Sequence, residues 1–229
     1  MIREWALCLW YHIARIVCAI VICLPYRVHV YGRQNIPKTG PVLVLSNHQS
    51  FLDPIFGQAM IGRRFLFLAR DTLFKNRFFG ALLHSISVIP IKRGQSDMAT
   101  IKKVINELKR GRSVCLYPEG TRTSDGRIAD MKPGVALLSR RSGAKVVPSV
   151  IDGAFECWPR HKKFPSIGKI SVSYGEPIAS EEVKGLGDKE FAVLLTARLR
   201  AMQNELRIKT GKQPFDYSQT SQTKLESVR

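Results

Sequence analysis

The feature that most restricts the fold of this chain is an alternation between short apolar segments and segments of helical periodicity. Residues 41–46 and 113–117 are nearly continuous apolar runs, as in strands that are buried on both faces of a sheet. Residues 97–109 place apolar side chains on one helical face and lysines on the other. Strands and helices that alternate in this way predict an α/β fold, a single layered domain with a mostly parallel central sheet flanked by helices.

Three regions are predicted along the 229 residues, a length that fits one large domain. Residues 1–25 form an N-terminal hydrophobic segment that we expect to associate with a membrane, residues 26–210 form the main domain, and residues 211–229 form a polar tail that we expect to be disordered. The predicted strands are residues 27–31, 41–46, 65–69, 88–91, 113–117, 144–150 and 169–174, and the predicted helices are residues 71–85, 97–109, 135–141 and 189–209.

The charge balance indicates a polyanionic partner. Thirty-six Lys and Arg residues against 18 Asp and Glu residues give a net charge of +18, which suits nucleic acid, an anionic bilayer or a phosphate-bearing substrate. The composition excludes a collagen-like, disulfide-scaffold or wholly disordered chain, and a mean hydropathy of -0.07 argues against a polytopic membrane protein. The five cysteines have no paired spacing, so we expect no metal site and a reducing compartment.

The N-terminal apolar run, residues 5–24, approaches the length of a membrane-spanning helix. His12 and Arg15 interrupt it, and an arginine at bilayer depth is costly. Trp5 and Trp10 suit the membrane–water interface. The run therefore predicts membrane attachment, either spanning or lying in one leaflet, with a buried first helix of a soluble core as the alternative.

The first candidate for catalysis follows the strand at residues 41–46. His48 and Asp53 are five residues apart, which on one helix would point them about 140° apart. If His48 ends the strand and Asp53 begins a helix at Pro54, the chain reverses and the carboxylate reaches the imidazole. A histidine oriented by a carboxylate is a common general base. The alternative is that Asp53 only caps the helix and His48 is an ordinary loop residue.

Two later loops carry candidate anion binders. Glu119, Gly120, Thr121 and Arg122 follow an apolar strand directly, where a glycine turn exposes backbone N–H groups and arginine offers a planar fork for phosphate. Lys92 and Arg93 follow the strand at residues 88–91 in the same way. Since ligands of parallel α/β sheets bind at the carboxyl ends of the strands, the three loops are expected to share one site. The alternative for both basic loops is a solvated charged turn.

Together these residues resemble the glycerolipid acyltransferases of the 1-acyl-sn-glycerol-3-phosphate (lysophosphatidic acid) acyltransferase type. The stretch 47–53 is similar to their NHxSxxD motif, and residues 117–122 are similar to F-P-E-G-T-R with Tyr117 in place of Phe. Residues 89–93 resemble the intervening block that ends in arginine, and residues 147–148 resemble the final V-P block. All four blocks occur in the order typical of the family.

The resemblance implies a role for each residue. His48 would take the proton from the acceptor hydroxyl, Asp53 would orient His48, and the acceptor would attack an acyl thioester without an acyl-enzyme. Arg70 would lie near the thioester. The residues expected to bind the acceptor phosphate are Arg93, Glu119, Gly120, Thr121 and Arg122.

The resemblance also implies the partners and location. The donor would be acyl-CoA or acyl-carrier protein, with no cofactor and no metal. The enzyme would contact anionic membrane lipids and a lysophospholipid, but no nucleic acid, at the cytoplasmic face of the inner (plasma) membrane. Glycerol 3-phosphate, another lysophospholipid or a lyso-amino-acid lipid are alternative acceptors. A non-catalytic basic module that binds membranes or nucleic acid is the alternative from another class.

Overall fold

The computed structural model describes residues 2–58, 61–86, 88–91 and 97–218. In these ranges the strands are β1 (His29–Tyr31), β2 (Val42–Ser46), β3 (Phe65–Arg70), β4 (Val88–Ile91), β5 (Ser113–Leu116), β6 (Lys145–Asp152) and β7 (Ser171–Tyr174). The α-helices are α1 (Ile2–Cys18), α2 (Asp53–Gln58), α3 (Arg77–Ser85), α4 (Asp97–Lys109), α5 (Val135–Ser142), α6 (Ala154–Cys157), α7 (Ser180–Lys184) and α8 (Asp188–Lys209). A π-helical turn, Ala19–Cys23, continues α1.

The strands form one sheet in the order β1-β7-β6-β2-β5-β3-β4. The neighbours from β6 to β4 are all parallel, so five strands end at the same edge. Strand β7 is antiparallel to β6 and parallel to β1, so these two strands run in the opposite direction. The prediction of a mostly parallel central sheet is confirmed.

Alternate residues of β2 face two separate cores. Val42 and Val44 contact the core beneath α2, α6 and the π-helical turn, whereas Leu43 and Leu45 contact the core beneath α4, α5, α7 and α8. This is why the first four residues of β2 are all apolar: both faces of a central parallel strand are covered by helices.

Residues 71–85, predicted as one helix, form two elements. A 3₁₀ turn, Asp71–Phe74, is followed by α3, and Gly80 of α3 approaches the backbone of Phe74 so closely that a Cβ would lie 2.9 Å from its carbonyl oxygen. The separation falls at Asn76, a residue type that favours helix starts over helix interiors. The apolar periodicity alone did not reveal this break.

The N-terminal segment packs on the domain through one side only. Tyr11 and Cys23 are buried, while the other side of the segment exposes large apolar side chains. These are Leu9, Trp10, Ile13, Ile16, Val17, Ile20, Val21 and Leu24. Within the described residues, no helix combines the length and apolar character needed to cross a membrane. Membrane association of this segment stays a prediction.

The expectation of disorder fails for residues 211–218. The Asn204 side chain on α8 exchanges two hydrogen bonds with the backbone of Phe215, at 3.0 and 2.8 Å. The Tyr217 hydroxyl donates to Gln203 and accepts from the Ile128 N–H. These contacts offset the low hydrophobicity of the segment, which is the property that suggested disorder. Residues 219–229 lie outside the described part of the chain.

Candidate active site

Two of the three loops singled out from the sequence start at adjacent strands of the parallel part of the sheet. His48 follows β2, Tyr117 follows β5, and Arg70 ends β3. Since β5 lies between β2 and β3, the carboxyl ends of these strands form one edge. Arg93 follows β4 at the same edge in sequence but lies outside the described residues.

His48 and Asp53 are in direct contact. The distance from His48 Nδ1 to Asp53 Oδ2 is 2.6 Å. The chain reverses between them because Asp53 begins α2, and the same carboxylate oxygen accepts the backbone N–H groups of Gln49 and Ser50, at 2.6 and 2.8 Å. Asp53 is fully buried. The carboxylate therefore caps the loop and orients the imidazole at once, combining the two alternatives that the sequence left open.

The imidazole of His48 is held in place by a second contact. Its ring stacks on the ring of Tyr117, with centroids 4.3 Å apart and an interplanar angle of 19°. Because the Asp53 carboxylate can only accept a hydrogen bond, Nδ1 of neutral His48 carries the proton and Nε2 carries the lone pair. Nε2 is thus the nitrogen able to accept a proton from a substrate.

The loop that carries His48 is tied to distant parts of the chain. Asn47 exchanges two hydrogen bonds with the backbone of Ile151 on β6, at 2.9 and 2.7 Å. Gln49 donates to the Gly126 carbonyl at 3.1 Å and accepts the Ala154 N–H at 3.1 Å. Both side chains are buried. The sequence pattern alone predicts no role for either residue, although a buried amide is accommodated when it is paired in this way.

Glu119 joins the second loop to the first. Its two carboxylate oxygens accept the backbone N–H groups of His48, at 2.7 Å, and Ala129, at 3.0 Å. Burial raises the pKa of Glu119 to about 7, against the opposing effect of these two hydrogen bonds. Since both oxygens are occupied by backbone groups, this geometry favours a positioning role for Glu119 over the substrate contact expected from the sequence.

Gly120 and Thr121 form the exposed turn after Glu119. Gly120 adopts a left-handed conformation with φ of 76°, and a Cβ at this position would lie 2.5 Å from Lys132 Nζ. The left-handed backbone conformation favours a glycine here, whereas the flexible end of the Lys132 side chain can move away from a Cβ. Thr121 is exposed.

Arg122 places at the site a guanidinium group with one N–H donor group, Nη1, that has no hydrogen-bond partner among the described residues. Its guanidinium lies over the ring of Phe51, with Cζ 3.4 Å from the centroid, and Nη1 is buried. Burial, together with Arg160 and Arg70, lowers the pKa of Arg122, and Asp53 opposes this effect. Two further cations close enough to affect Arg122 make this edge of the site electropositive, which favours an anion there. Arg70 itself is exposed.

A mostly apolar cleft lies behind the Tyr117 ring. The cleft is narrow: its cavity volume is about 10 Å³, roughly the room of one water molecule, and the larger value of about 270 Å³ includes open solvent at its mouth. The lining residues are Val44, Ser46, Gly57, Phe65, Phe67, Cys115, Tyr117, Ser149, Ile151 and Tyr174. One aromatic ring thus separates this cleft from the imidazole of His48.

The described residues contain no cluster of three or more His, Cys, Asp or Glu side chains arranged to hold a metal ion. The groups placed at the sheet edge are a carboxylate-oriented histidine and an arginine with an unpaired donor.

Comparison with known proteins gives consistent results. The chain is 33% identical over 170 residues to the chloroplastic 1-acyl-sn-glycerol-3-phosphate acyltransferase LPAT1 of Arabidopsis thaliana, an alignment that covers 72% of this chain and 48% of that protein. It is 28% identical to the 1-acyl-sn-glycerol-3-phosphate acyltransferase of Bacillus subtilis, covering 83% and 93%. The chain spans about half the length of the plant relatives.

A solved structure shares the fold. The 1-acyl-sn-glycerophosphate (LPA) acyltransferase PlsC of Thermotoga maritima superimposes with a TM-score of 0.70 at 22% identity, covering 90% of this chain and 96% of that one. The Acyltransferase family model matches residues 27–152, which is more than half of the chain and includes His48, Asp53 and Arg122. This chain therefore belongs to the Acyltransferase family.

Proposed function

We propose that this protein transfers a fatty acyl group from an acyl thioester to the free hydroxyl of 1-acyl-sn-glycerol 3-phosphate, giving phosphatidic acid. The observation that carries the proposal is the 2.6 Å contact between His48 Nδ1 and the buried carboxylate of Asp53. It leaves Nε2 to act as the base. The names of the relatives supply the substrate class.

The proposed reaction uses His48 first as base and then as acid. The acceptor hydroxyl gives its proton to Nε2 while its oxygen attacks the thioester carbonyl carbon. The resulting tetrahedral intermediate collapses, the carbon–sulfur bond breaks, and the imidazolium returns the proton to the departing thiolate. Asp53 stabilises the imidazolium throughout, because its carboxylate is held by two backbone N–H groups. No acyl-enzyme is formed, and the mechanism needs no cofactor or metal.

Arg122 is the proposed ligand of the acceptor phosphate. Its buried Nη1 lacks a partner among the described residues, and a guanidinium donates to two phosphate oxygens at once. Arg93, Gly120 and Thr121 are proposed to complete this site. Arg70, at the end of β3, is proposed to lie near the thioester. In this proposal, the cations that bind the acceptor phosphate and the cation near the thioester carbonyl lie along the same edge of the sheet.

The apolar cleft behind Tyr117 is the proposed site of an acyl chain. Its lining includes Phe65, Phe67 and Ile151, and the ring of Tyr117, which also lines it, stacks on the ring of His48. An acyl chain would have to widen this cleft in order to enter it. Burial of methylene groups there contributes about 0.8 kcal/mol for each CH₂ removed from water. The donor, acyl-CoA or acyl-carrier protein, would place its thioester at the mouth of the cleft.

Membrane attachment through the N-terminal segment is part of the proposal. The exposed apolar side of α1 is matched on the same face of the sheet by Phe78 and Leu82 of α3, and Phe78 is 90% exposed. Surface of this size and character is unusual on a soluble domain. The proposed location is the cytoplasmic face of the plasma membrane, which agrees with the free thiols of Cys18, Cys23, Cys115 and Cys157.

The test is acyl transfer by the purified full chain in detergent. Oleoyl-CoA and, in parallel, oleoyl-acyl-carrier protein are supplied with 1-acyl-sn-glycerol 3-phosphate, and phosphatidic acid is measured by mass spectrometry. His48→Ala is expected to abolish product. His29→Ala is the matched control, because His29 is exposed on β1 and two strands separate β1 from β2.

Arg122→Lys separates the acceptor site from the base. It keeps the positive charge but loses the planar fork, so we expect a higher KM for the acceptor with little change in the KM for the donor. If folded wild-type protein forms no phosphatidic acid with either donor, the acceptor assignment is wrong. Glycerol 3-phosphate, other lysophospholipids and lyso-amino-acid lipids would then be tested in the same assay.

A further inference from the structure

A basic and apolar surface loop remains outside the proposed chemistry. Residues 158–169, called here the basic loop, contain Arg160, Lys162, Lys163 and Lys169 and no acidic residue. The aromatic side chain of Phe164 is 72% exposed and the aliphatic side chain of Ile167 is 77% exposed. The loop thus exposes two large apolar side chains among its basic residues.

The basic loop has a defined shape. Trp158 Nε1 donates to the Lys162 carbonyl at 3.1 Å, and the Ser166 N–H donates to the Cys157 carbonyl at 2.8 Å. Lys162 Nζ lies 3.1 Å from Ser166 Oγ, so the loop is closed on itself by its own side chains. Phe164 lies between these closing contacts and is presented at the tip.

The basic loop begins and ends beside the N-terminal segment. Cys157, just before the loop, and Ile170, just after it, are buried in the same core as Cys23. The Ile170 N–H donates to the carbonyl of Tyr26. Leu24 of the segment is exposed two residues before Tyr26, so an exposed apolar side chain lies close in sequence to this contact.

The other side of the loop is connected to the phosphate site. The ring of Phe51 connects the two: its centroid lies 5.5 Å from that of Trp158, and the guanidinium of Arg122 lies over it. Arg160 is close enough to lower the pKa of Arg122. The basic loop thus lies between the apolar N-terminal segment and the site proposed to bind a phosphate.

We propose that the basic loop is a second membrane contact that binds the anionic lipid surface and places Arg122 at the level of the lipid headgroups. The inference rests on the proposed function, since it assigns the side of the site from which a lipid substrate enters. An anionic bilayer fits better than an acidic protein, because Phe164 and Ile167 would enter the interface while the lysines meet the headgroups. Continuity with the apolar N-terminal segment supports the same occupant.

The experiment measures binding of the full chain to vesicles, independently of activity. Vesicles of phosphatidylcholine alone, and of phosphatidylcholine with about 30% phosphatidylglycerol, are sedimented with wild-type protein and with K162Q/K163Q. One lysine near an anionic surface strengthens binding about fivefold, so the double variant should bind anionic vesicles roughly 25-fold more weakly. Binding to neutral vesicles should not change. The difference should shrink as salt is raised.

Two further variants keep the test decisive. K102Q/K103Q removes the same charge from exposed positions on α4, on the other face of the sheet, and should bind both vesicle types like wild type. Phe164→Ser should weaken binding to both vesicle types, because it removes apolar burial. Circular dichroism and activity in neutral detergent verify that each variant is folded.

The proposal is overturned if K162Q/K163Q and K102Q/K103Q weaken anionic binding equally, since the effect would then be one of net charge alone. It is also overturned if K162Q/K163Q binds vesicles normally but raises the KM for acyl-carrier protein, which would assign the loop to the protein donor. A chain that shows the expected vesicle binding yet forms no phosphatidic acid would keep the loop as a membrane contact and reject the proposed acceptor.

Discussion

Because of the buried carboxyl group of Glu119, the free energy of unfolding of this protein should decrease as the pH rises. Burial raises its pKa from an ordinary 4.5 to about 7 in the folded protein. The folded protein therefore binds this proton more tightly than the unfolded chain does. The stabilisation is fully present below pH 4.5 and is lost as the pH rises through about 7.

The size of the effect follows from the same two values. Each pH unit between them corresponds to about 1.4 kcal/mol, so the free energy of unfolding should fall by about 3 kcal/mol across the interval. Glu119 is only 8% exposed, so solvent screens little of this difference. Against a typical total stability of ~5–15 kcal/mol, a loss of this size is readily measured.

Glu119→Gln removes the titration and keeps the size of the side chain. A single amide oxygen can accept only one of the two N–H groups of His48 and Ala129, which costs about 1–3 kcal/mol at every pH. Wild type should therefore be the more stable protein at pH 4.5 and should lose this advantage by pH 8. Glu205→Gln, an exposed position on α8, is the matched control and should follow wild type at every pH.

The assay is urea denaturation in one detergent at constant ionic strength, followed by circular dichroism from pH 4.5 to 8. Linear extrapolation gives the free energy of unfolding at each pH. If the difference between wild type and Glu119→Gln is the same at all pH values, the folded environment does not raise the pKa of this carboxyl group. The argument that its burial opposes ionisation would then be wrong.

Three further changes give separate expected results. Asp53→Asn should lower kcat about 10³- to 10⁴-fold in the acyl-transfer assay while the protein stays folded, because an amide no longer enforces the required tautomer; a loss below tenfold would contradict this role. Gly57→Ala places a Cβ 3.5 Å from the hydroxyl of Tyr174, an ordinary contact that narrows the cleft, so the preference should shift to shorter acyl-CoA chains, and an unchanged chain-length profile would exclude acyl binding there. Tyr217→Phe leaves the Ile128 N–H without its acceptor and should lower the free energy of unfolding by about 1–2 kcal/mol in urea, whereas an unchanged midpoint would mean that the C-terminal segment adds no stability.

Local patterns in the sequence were sufficient for the elements and for part of the site. The amphipathic pattern at residues 97–109 predicts α4 with its observed bounds, and the apolar run at residues 88–91 does the same for β4. The contact between His48 and Asp53 was one of the two alternatives that the sequence offered, because a proline after Asp53 favours a helix start that reverses the chain between them. These features depend on residues within a few positions of each other.

Long-range partners were decided by the tertiary structure alone. Asn47 meets Ile151, which is 104 residues away, only because β2 and β6 are neighbours in the sheet. In the sequence Glu119 looks like any charged turn residue, and only the fold brings the backbone of His48 onto its carboxylate and makes it a buried link between two loops. Side-chain periodicity specifies which face of an element is buried, whereas strand order specifies what that face will meet, and no local pattern in this chain encodes the order β1-β7-β6-β2-β5-β3-β4.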